Sequence, residues 1–327
     1  LRKRDFLLII GAAAVVFALL FLVGEWLESQ QEQPETRGDY HWRYAADEQE
    51  INGKLYRPKT NLSTILFMGI DRDSTEEQTG FRNGGQADFL RLIVIDRSAK
   101  TISQLAIDRD TMTPIIVLGV LGNRSGYRTL QISLSHGFGD GKGQSCELTV
   151  EAVSNLLFGA HINGYVAMNM DGISVLNDSL GGVTVTLEDD FSALDPEMTV
   201  GKTMTLKGRQ AELYVRSRMN MAVGTNSARM ARQQTYISQM MDLLNKKIRG
   251  SSEFIGRLYD DLSSFVVTDF SRAQMINEAW GARNYTHNPV MELSGEHVIG
   301  ADGFMEFHVD ETALQEIVLQ LFYQEVK

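Results

Sequence analysis

Residues 64–71, TILFMGID, and residues 87–107, ADFLRLIVIDRSAKTISQLAI, decide the fold. Thr64–Ile70 is a short, nearly continuous apolar run that stops at Asp71, the pattern of a strand buried on both faces. Leu90–Ile95 and Thr101–Ile107 are two more strand-like runs, and only Asp96–Lys100 separates them, so a hairpin is the economical connection. Working outward, Ser145–Leu157 places Leu148, Ala152 and Leu156 on one helical face, Tyr165–Met168 reads as a strand, and Asp171–Leu180 as a helix stopped by Gly181 and Gly182. Val183–Leu187 alternates as a strand does, Lys207–Val215 and Ser227–Ile248 read as helices, and Glu311–Tyr323 is amphipathic. Strands interleaved with helices and joined by hairpins predict an α/β domain with a central mixed β-sheet flanked by helices. One domain over 61–327 is expected, with a motif-bearing core at 61–250 and a C-terminal extension at 251–327.

Upstream of this body the composition changes. Phe6–Val23 (FLLIIGAAAVVFALLFLV) is eighteen residues without a polar side chain, about 27 Å as a helix and enough for a bilayer core. Arg2, Lys3 and Arg4 precede it, whereas Glu25, Glu28, Glu32 and Glu35 follow. The positive-inside rule then predicts a cytoplasmic tail at 1–5, a transmembrane anchor at 6–24 and an exported body on the cell membrane's outer side. A cleaved signal peptide would carry a shorter apolar run ending in small residues, not Val-Gly-Glu-Trp. Residues 25–60 are polar and mixed in sign and read as a stalk, with Tyr40, Trp42, Tyr44 and Tyr56 expected to pack its second half on the domain. The whole chain holds 31 Lys+Arg against 42 Asp+Glu, a net charge of −11, which argues against nucleic acid as a partner. A single cysteine excludes an intramolecular disulfide framework and a Cys-based zinc site.

Against that acidic background, Lys207–Arg232 is unusual. Lys207, Arg209, Arg216, Arg218, Arg229 and Arg232 face only Glu212 in the count. On an extended segment Arg216 and Arg218 point the same way, and on a helix Arg229, Arg232 and Gln233 share a face. Guanidinium forks so spaced suit phosphate or carboxylate, although a solvated charged face is the plainer alternative. Asp71 ends one strand and Asp88 begins another; two carboxylates are enough to hold Mg²⁺ alongside substrate phosphates, but Asp also simply ends strands and makes turns. Arg109-Asp110-Thr111 follows the third strand, where Arg109 is either a phosphate ligand or an ion-pair partner of Asp108 or Asp110. Gly137–Gly143 lacks the Walker register and no GxSxG elbow exists. Cys146 reads as a packing residue.

The strand ending at Asp71, then Asp88-Phe89, then Arg109-Asp110-Thr111 resembles the LytR-CpsA-Psr (LCP) family of bacterial envelope proteins. The likeness continues through 148–187 (LTVEAVSNLLFGAHINGYVAMNMDGISVLNDSLGGVTVTL) and 206–234 (LKGRQAELYVRSRMNMAVGTNSARMARQQ), about 61–245 in all. The resemblance implies an enzyme that moves a glycopolymer, such as a teichoic acid or capsular polysaccharide, from a polyprenyl-pyrophosphate carrier onto peptidoglycan. It implies Mg²⁺ on Asp71 and Asp88, and pyrophosphate on Arg109, Arg216, Arg218 and Arg229 with Gln233 beside them. Arg109, Asp88 and Asp110 would then serve the chemistry, and an apolar tunnel would take the prenyl tail. Family members often carry Arg two positions before the second Asp, where this chain has Gln86; Arg82 in the preceding loop is the candidate substitute. A pyrophosphatase acting on the same lipid-linked glycan, or a non-catalytic binder of it, are the alternatives the same residues allow.

Overall fold

The computed structural model describes residues 47–72, 84–119, 121–217 and 226–326. The anchor, the first part of the stalk, Arg82 and Arg218 lie outside the described residues, as does the Arg229 side chain. Among the described residues no helix is long and apolar enough to cross a membrane.

Two short strands, β1 (Gln49–Ile51) and β2 (Lys54–Pro58), open the described chain, followed by β3 (Leu62–Asp71), β4 (Gln86–Asp96) and β5 (Thr101–Ile107). A hairpin of β6 (Met112–Leu118) and β7 (Arg124–Gln131) leads through a short helix α1 (Leu134–Gly137) to α2 (Gly143–Leu156), β8 (Gly164–Asn169) and α3 (Gly172–Leu180). After β9 (Thr184–Thr186) and β10 (Thr203–Thr205) come three helices, α4 (Arg209–Arg216), α5 (Asn226–Gly250) and α6 (Ser252–Leu262). The chain closes with β11 (Val266–Thr268), α7 (Arg272–Ala282), β12 (Thr286–Glu292), the hairpin β13 (Gly295–Ile299) and β14 (Met305–Val309), α8 (Glu311–Phe322) and β15 (Tyr323–Glu325).

The central sheet runs β11-β8-β3-β4-β5-β12. β4 is antiparallel to both β3 and β5, while β8 joins β3, and β12 joins β5, in parallel. The sheet is mixed, as the interleaved pattern predicts. Its two faces are both covered, which is why its central strands read as nearly unbroken apolar runs. On one face Leu66, Met68, Leu92, Leu105 and Ala167 pack against Val153 and Leu156 of α2 and Leu314 and Val318 of α8. On the other, Phe67 and Met168 meet Leu176 of α3, Met240 and Leu243 of α5 and Phe254 of α6, while Ile65 and Ile95 meet Ala282 of α7.

Three boundaries differ from the sequence reading. Residues 49–58, inside the stretch read as stalk, form β1 and β2 and pair with β15 at the other end of the described chain. Residues 251–327 supply both edge strands of the central sheet, so they are woven into the body. Arg216 is the last residue of α4, not part of an extended segment; only at Ser217 does the backbone become extended. Helix propensity and the Glu212–Arg216 pair at i,i+4 outweigh the strand-like spacing there.

Candidate active site

β3, β5 and β8 run in one direction and β4 runs against them, so four chain segments converge at one end of the sheet. These are the ends of β3 at Asp71, of β5 before Asp108 and of β8 at Asn169, and the start of β4 at Gln86. The register there is interrupted: Ile70 pairs with Ala87 and Gly69 with Phe89, so Asp88 is the extra residue of a β-bulge. Its signature is burial phase, because Ala87 and Leu90, three apart, both enter the same core. Bulges re-aim side chains, and this one carries the candidate carboxylate. Gly85, at φ +74°, makes the turn into β4; a Cβ there would stand 3.3 Å from the Asp71 carbonyl.

Arg109 is the centre of the cluster. Its Nη1 meets Asp88 Oδ2 at 2.6 Å, its Nη2 donates to Gln86 Oε1 at 2.6 Å, and its Nε lies 3.5 Å from Asp110 Oδ1. Arg109 is thus an ion-pair partner of Asp110, one of the two sequence alternatives, and of Asp88, with its side chain 36% exposed to solvent. Gln86, where an arginine was expected by resemblance, is a neutral acceptor for Arg109. The segments are locked by backbone bonds: Ala87 N donates to Ser133 O, Ser133 N to Arg109 O, and Ile132 N to Thr111 O, at 2.8–3.1 Å. Burial pushes the Asp110 carboxyl up, Asp108 adds to the rise, and Arg109 and His297 oppose it.

The second cationic group is only partly described. Arg216 Nη1 donates to Glu212 Oε1 at 2.8 Å, and Gln233 Nε2 donates to the Val215 carbonyl at 3.1 Å. Arg232 is structural: 3% exposed, it pairs with Asp189, donates from Nη2 to Ser217 O at 2.8 Å and lies over the Phe191 ring. Together Arg232 and Gln233 tie the start of α5 to the end of α4. Sequence reasoning named Asp108 only as a candidate partner of Arg109 and missed His297. Asp108 Oδ1 accepts from the Asp110 amide at 2.8 Å, and Asp108 Oδ2 accepts from His297 Nε2 at 3.0 Å. Nothing local marks His297, which arrives on the β13–β14 hairpin from far along the chain.

Among the described residues no group of three or more His, Cys, Asp or Glu is placed to hold a metal. Asp71 and Asp88 nevertheless stand on paired strands across the bulge and are oxygen donors, a set that fits Mg²⁺, which takes one or two carboxylates and completes its shell with water and phosphate. A cavity of about 520 Å³ between α5 and α6, lined by Leu243, Lys247, Phe254 and Arg257, contains none of the candidate residues.

The sequence profile of the LytR_cpsA_psr family matches residues 28–322, and the chain belongs to that family. A relative from Bacillus subtilis (strain 168), named polyisoprenyl-teichoic acid–peptidoglycan teichoic acid transferase TagU, is 27% identical over 267 residues, 80% of this chain and 78% of its own length. A crystal structure of protein gbs0355 from Streptococcus agalactiae superposes with a TM-score of 0.62 at 21% identity, covering 80% of this chain and 88% of that one. The structure described as TagT bound to LI-WTA superposes with a TM-score of 0.57 at 22% identity, covering 86% and 98%. These likenesses establish the fold.

Proposed function

We propose that the protein transfers a glycopolymer, a teichoic acid or another wall or capsular polysaccharide, from a polyprenyl-pyrophosphate carrier to peptidoglycan and releases polyprenyl phosphate. The observation that carries this reading is Arg109, a half-exposed guanidinium fixed at the sheet end between Asp88, Gln86 and Asp110, in a chain of this family. The TagU relative is named a polyisoprenyl-teichoic acid–peptidoglycan teichoic acid transferase, and the TagT structure for a bound wall teichoic acid ligand.

In this reading Arg109 binds the pyrophosphate and stabilises charge as the bridging oxygen departs with the prenyl phosphate. Asp71 and Asp88 hold Mg²⁺, which supplies electrostatic stabilisation of the phosphates. Arg216, Arg218 and Arg229 extend the anionic subsite, with Gln233 fixing where the segment between α4 and α5 begins. Phe67, Met240 and Leu243, partly buried between sheet and helices, offer the prenyl chain an apolar surface. The anchor at 6–24 holds the body at the outer face of the cell membrane, where a lipid-linked donor is captured in two dimensions.

The test incubates the full chain with a polyprenyl-pyrophosphate-linked disaccharide and Mg²⁺, with and without a peptidoglycan oligomer, and follows products by mass. A glycan–phosphate adduct on the oligomer is expected, lost with EDTA, in Asp88→Ala and in Arg109→Ala. Prenyl phosphate without adduct would make the protein a pyrophosphatase, and donor binding without product would make it a binder.

A further inference from the structure

The transfer needs a proton acceptor for the attacking hydroxyl, and the carboxylates at Arg109 are poorly suited to it. Asp88 is engaged by the guanidinium at 2.6 Å, and Arg109 also opposes the rise that burial gives the Asp110 carboxyl. The β13–β14 hairpin brings a different group. Phe307 N donates to Asp110 O at 2.8 Å, and Thr111 bridges Phe307, so the hairpin is stitched to the backbone directly after Arg109. His297 lies opposite Phe307 in the hairpin register, its ring 4.6 Å from the Phe307 ring. From there Nε2 reaches Asp108 Oδ2 at 3.0 Å.

An ionised carboxylate only accepts hydrogen bonds, so Nε2 carries the hydrogen and Nδ1 is left with the basic lone pair. The ring is thus fixed in tautomer and in orientation by Asp108 and Phe307, while its side chain stays 48% exposed. Of the charged groups around it, Asp108, Arg109 and Asp110 lie on the segment beneath. Glu296, Glu306 and His308 stand on the hairpin's other face by strand alternation, where His308 bonds Glu306 at 2.7 Å.

We infer that His297, held by Asp108, is the general base for the acceptor hydroxyl. The inference rests on the transferase reading above. As the hydroxyl oxygen bonds to the glycan-linked phosphorus, its proton passes to His297 Nδ1 and the imidazolium is balanced by Asp108. The bridging P–O bond breaks with its electron pair remaining on the prenyl phosphate, whose charge faces Arg109. The imidazolium then returns its proton to solvent.

The test measures transfer by the full chain across the pH range, using the polyprenyl-pyrophosphate-linked disaccharide, the peptidoglycan oligomer and Mg²⁺. His297→Gln keeps a donor for Asp108 but cannot take a proton. It should lower kcat by about 10²–10⁴, leave the donor KM within about threefold, and erase the acid limb of the kcat/KM profile. Asp108→Asn should keep the limb with a smaller loss of rate. Thermal melting and protection of the Phe307 amide from exchange report whether the hairpin stays docked. If His297→Gln loses rate but keeps the acid limb, His297 is only a hairpin anchor and the assignment fails while the transferase reading stands. If wild-type protein forms no adduct at all, that reading fails and the base assignment falls with it.

Discussion

At the scale of single residues, Gln86 sets the character of the site. Its amide oxygen accepts from Arg109 at 2.6 Å, a bond to a charged group worth about 1.5–3 kcal/mol. Gln86→Arg would replace that acceptor with a second cation against the first. Without ligand, the variant is expected to melt about 2–4 °C lower than wild type. Saturating inorganic pyrophosphate should close or reverse the gap, because two guanidiniums then share one anion; differential scanning fluorimetry reads both conditions. His136 tests a different physics. Its Nδ1 lies 3.1 Å from Gly85 O and its Nε2 3.9 Å from Cys146 Sγ, and burial holds its pKa below the ordinary histidine value. The unfolded chain therefore binds the proton more readily. This contribution to stability is fully present above about pH 6.5 and is lost as pH falls toward the lowered folded value. The urea midpoint should drop between about pH 7.5 and pH 5, and His136→Asn should flatten that slope. The same burial pushes the Cys146 thiol up to about 12, which agrees with its reading as a packing residue.

Elements were legible where one face or both were apolar. Thr64–Ile70 lies within β3, Ser145–Leu157 matches α2 to within two residues, and Ser227–Ile248 lies within α5. What stayed hidden depended on long-range geometry. The bulge at Asp88 is visible only in the pairing of β3 with β4, although Ala87 and Leu90 entering one core is its trace in hindsight. The β13–β14 hairpin exposes much of its surface and so carries no strong apolar alternation. Its closeness to Arg109 has no sequence signal at all. The arginine cluster separated into roles that charge counting cannot distinguish: Arg216 ends α4 in an i,i+4 ion pair with Glu212, and Arg232 is buried against Asp189. Arg232→Ala would leave Asp189 without that ion-pair partner and cost about 3–5 kcal/mol. Equilibrium urea unfolding should show the loss, together with faster proteolysis at the junction of α4 and α5.

For the whole molecule, the central mixed sheet was predictable, but the way the chain's two described ends meet was not. Polar composition made 25–60 read as a stalk whose aromatics pack its second half on the domain; Tyr56 does pack on the main core, and β2, which carries it, is sandwiched between β1 and β15. Tyr323, 2% exposed, enters the main core from that small sheet and pairs with Pro58. Tyr323→Ala should lower stability by about 3–5 kcal/mol. Exchange of the amides of 54–58 should quicken with it, as hydrogen–deuterium mass spectrometry would show.

The small sheet also has a mechanical meaning. A pull on the segment before Gln49 is passed through β1 and β2 to β15, and from the Lys59 amide into the Phe322 carbonyl at the end of α8. The load enters the main sheet at Leu62, the far end of β3 from Asp71. The two are the ends of a ten-residue strand, roughly 30 Å apart. Tension applied before Gln49 is therefore taken up by a clasp of backbone hydrogen bonds remote from Arg109, and the Arg109 end of the sheet is insulated from it.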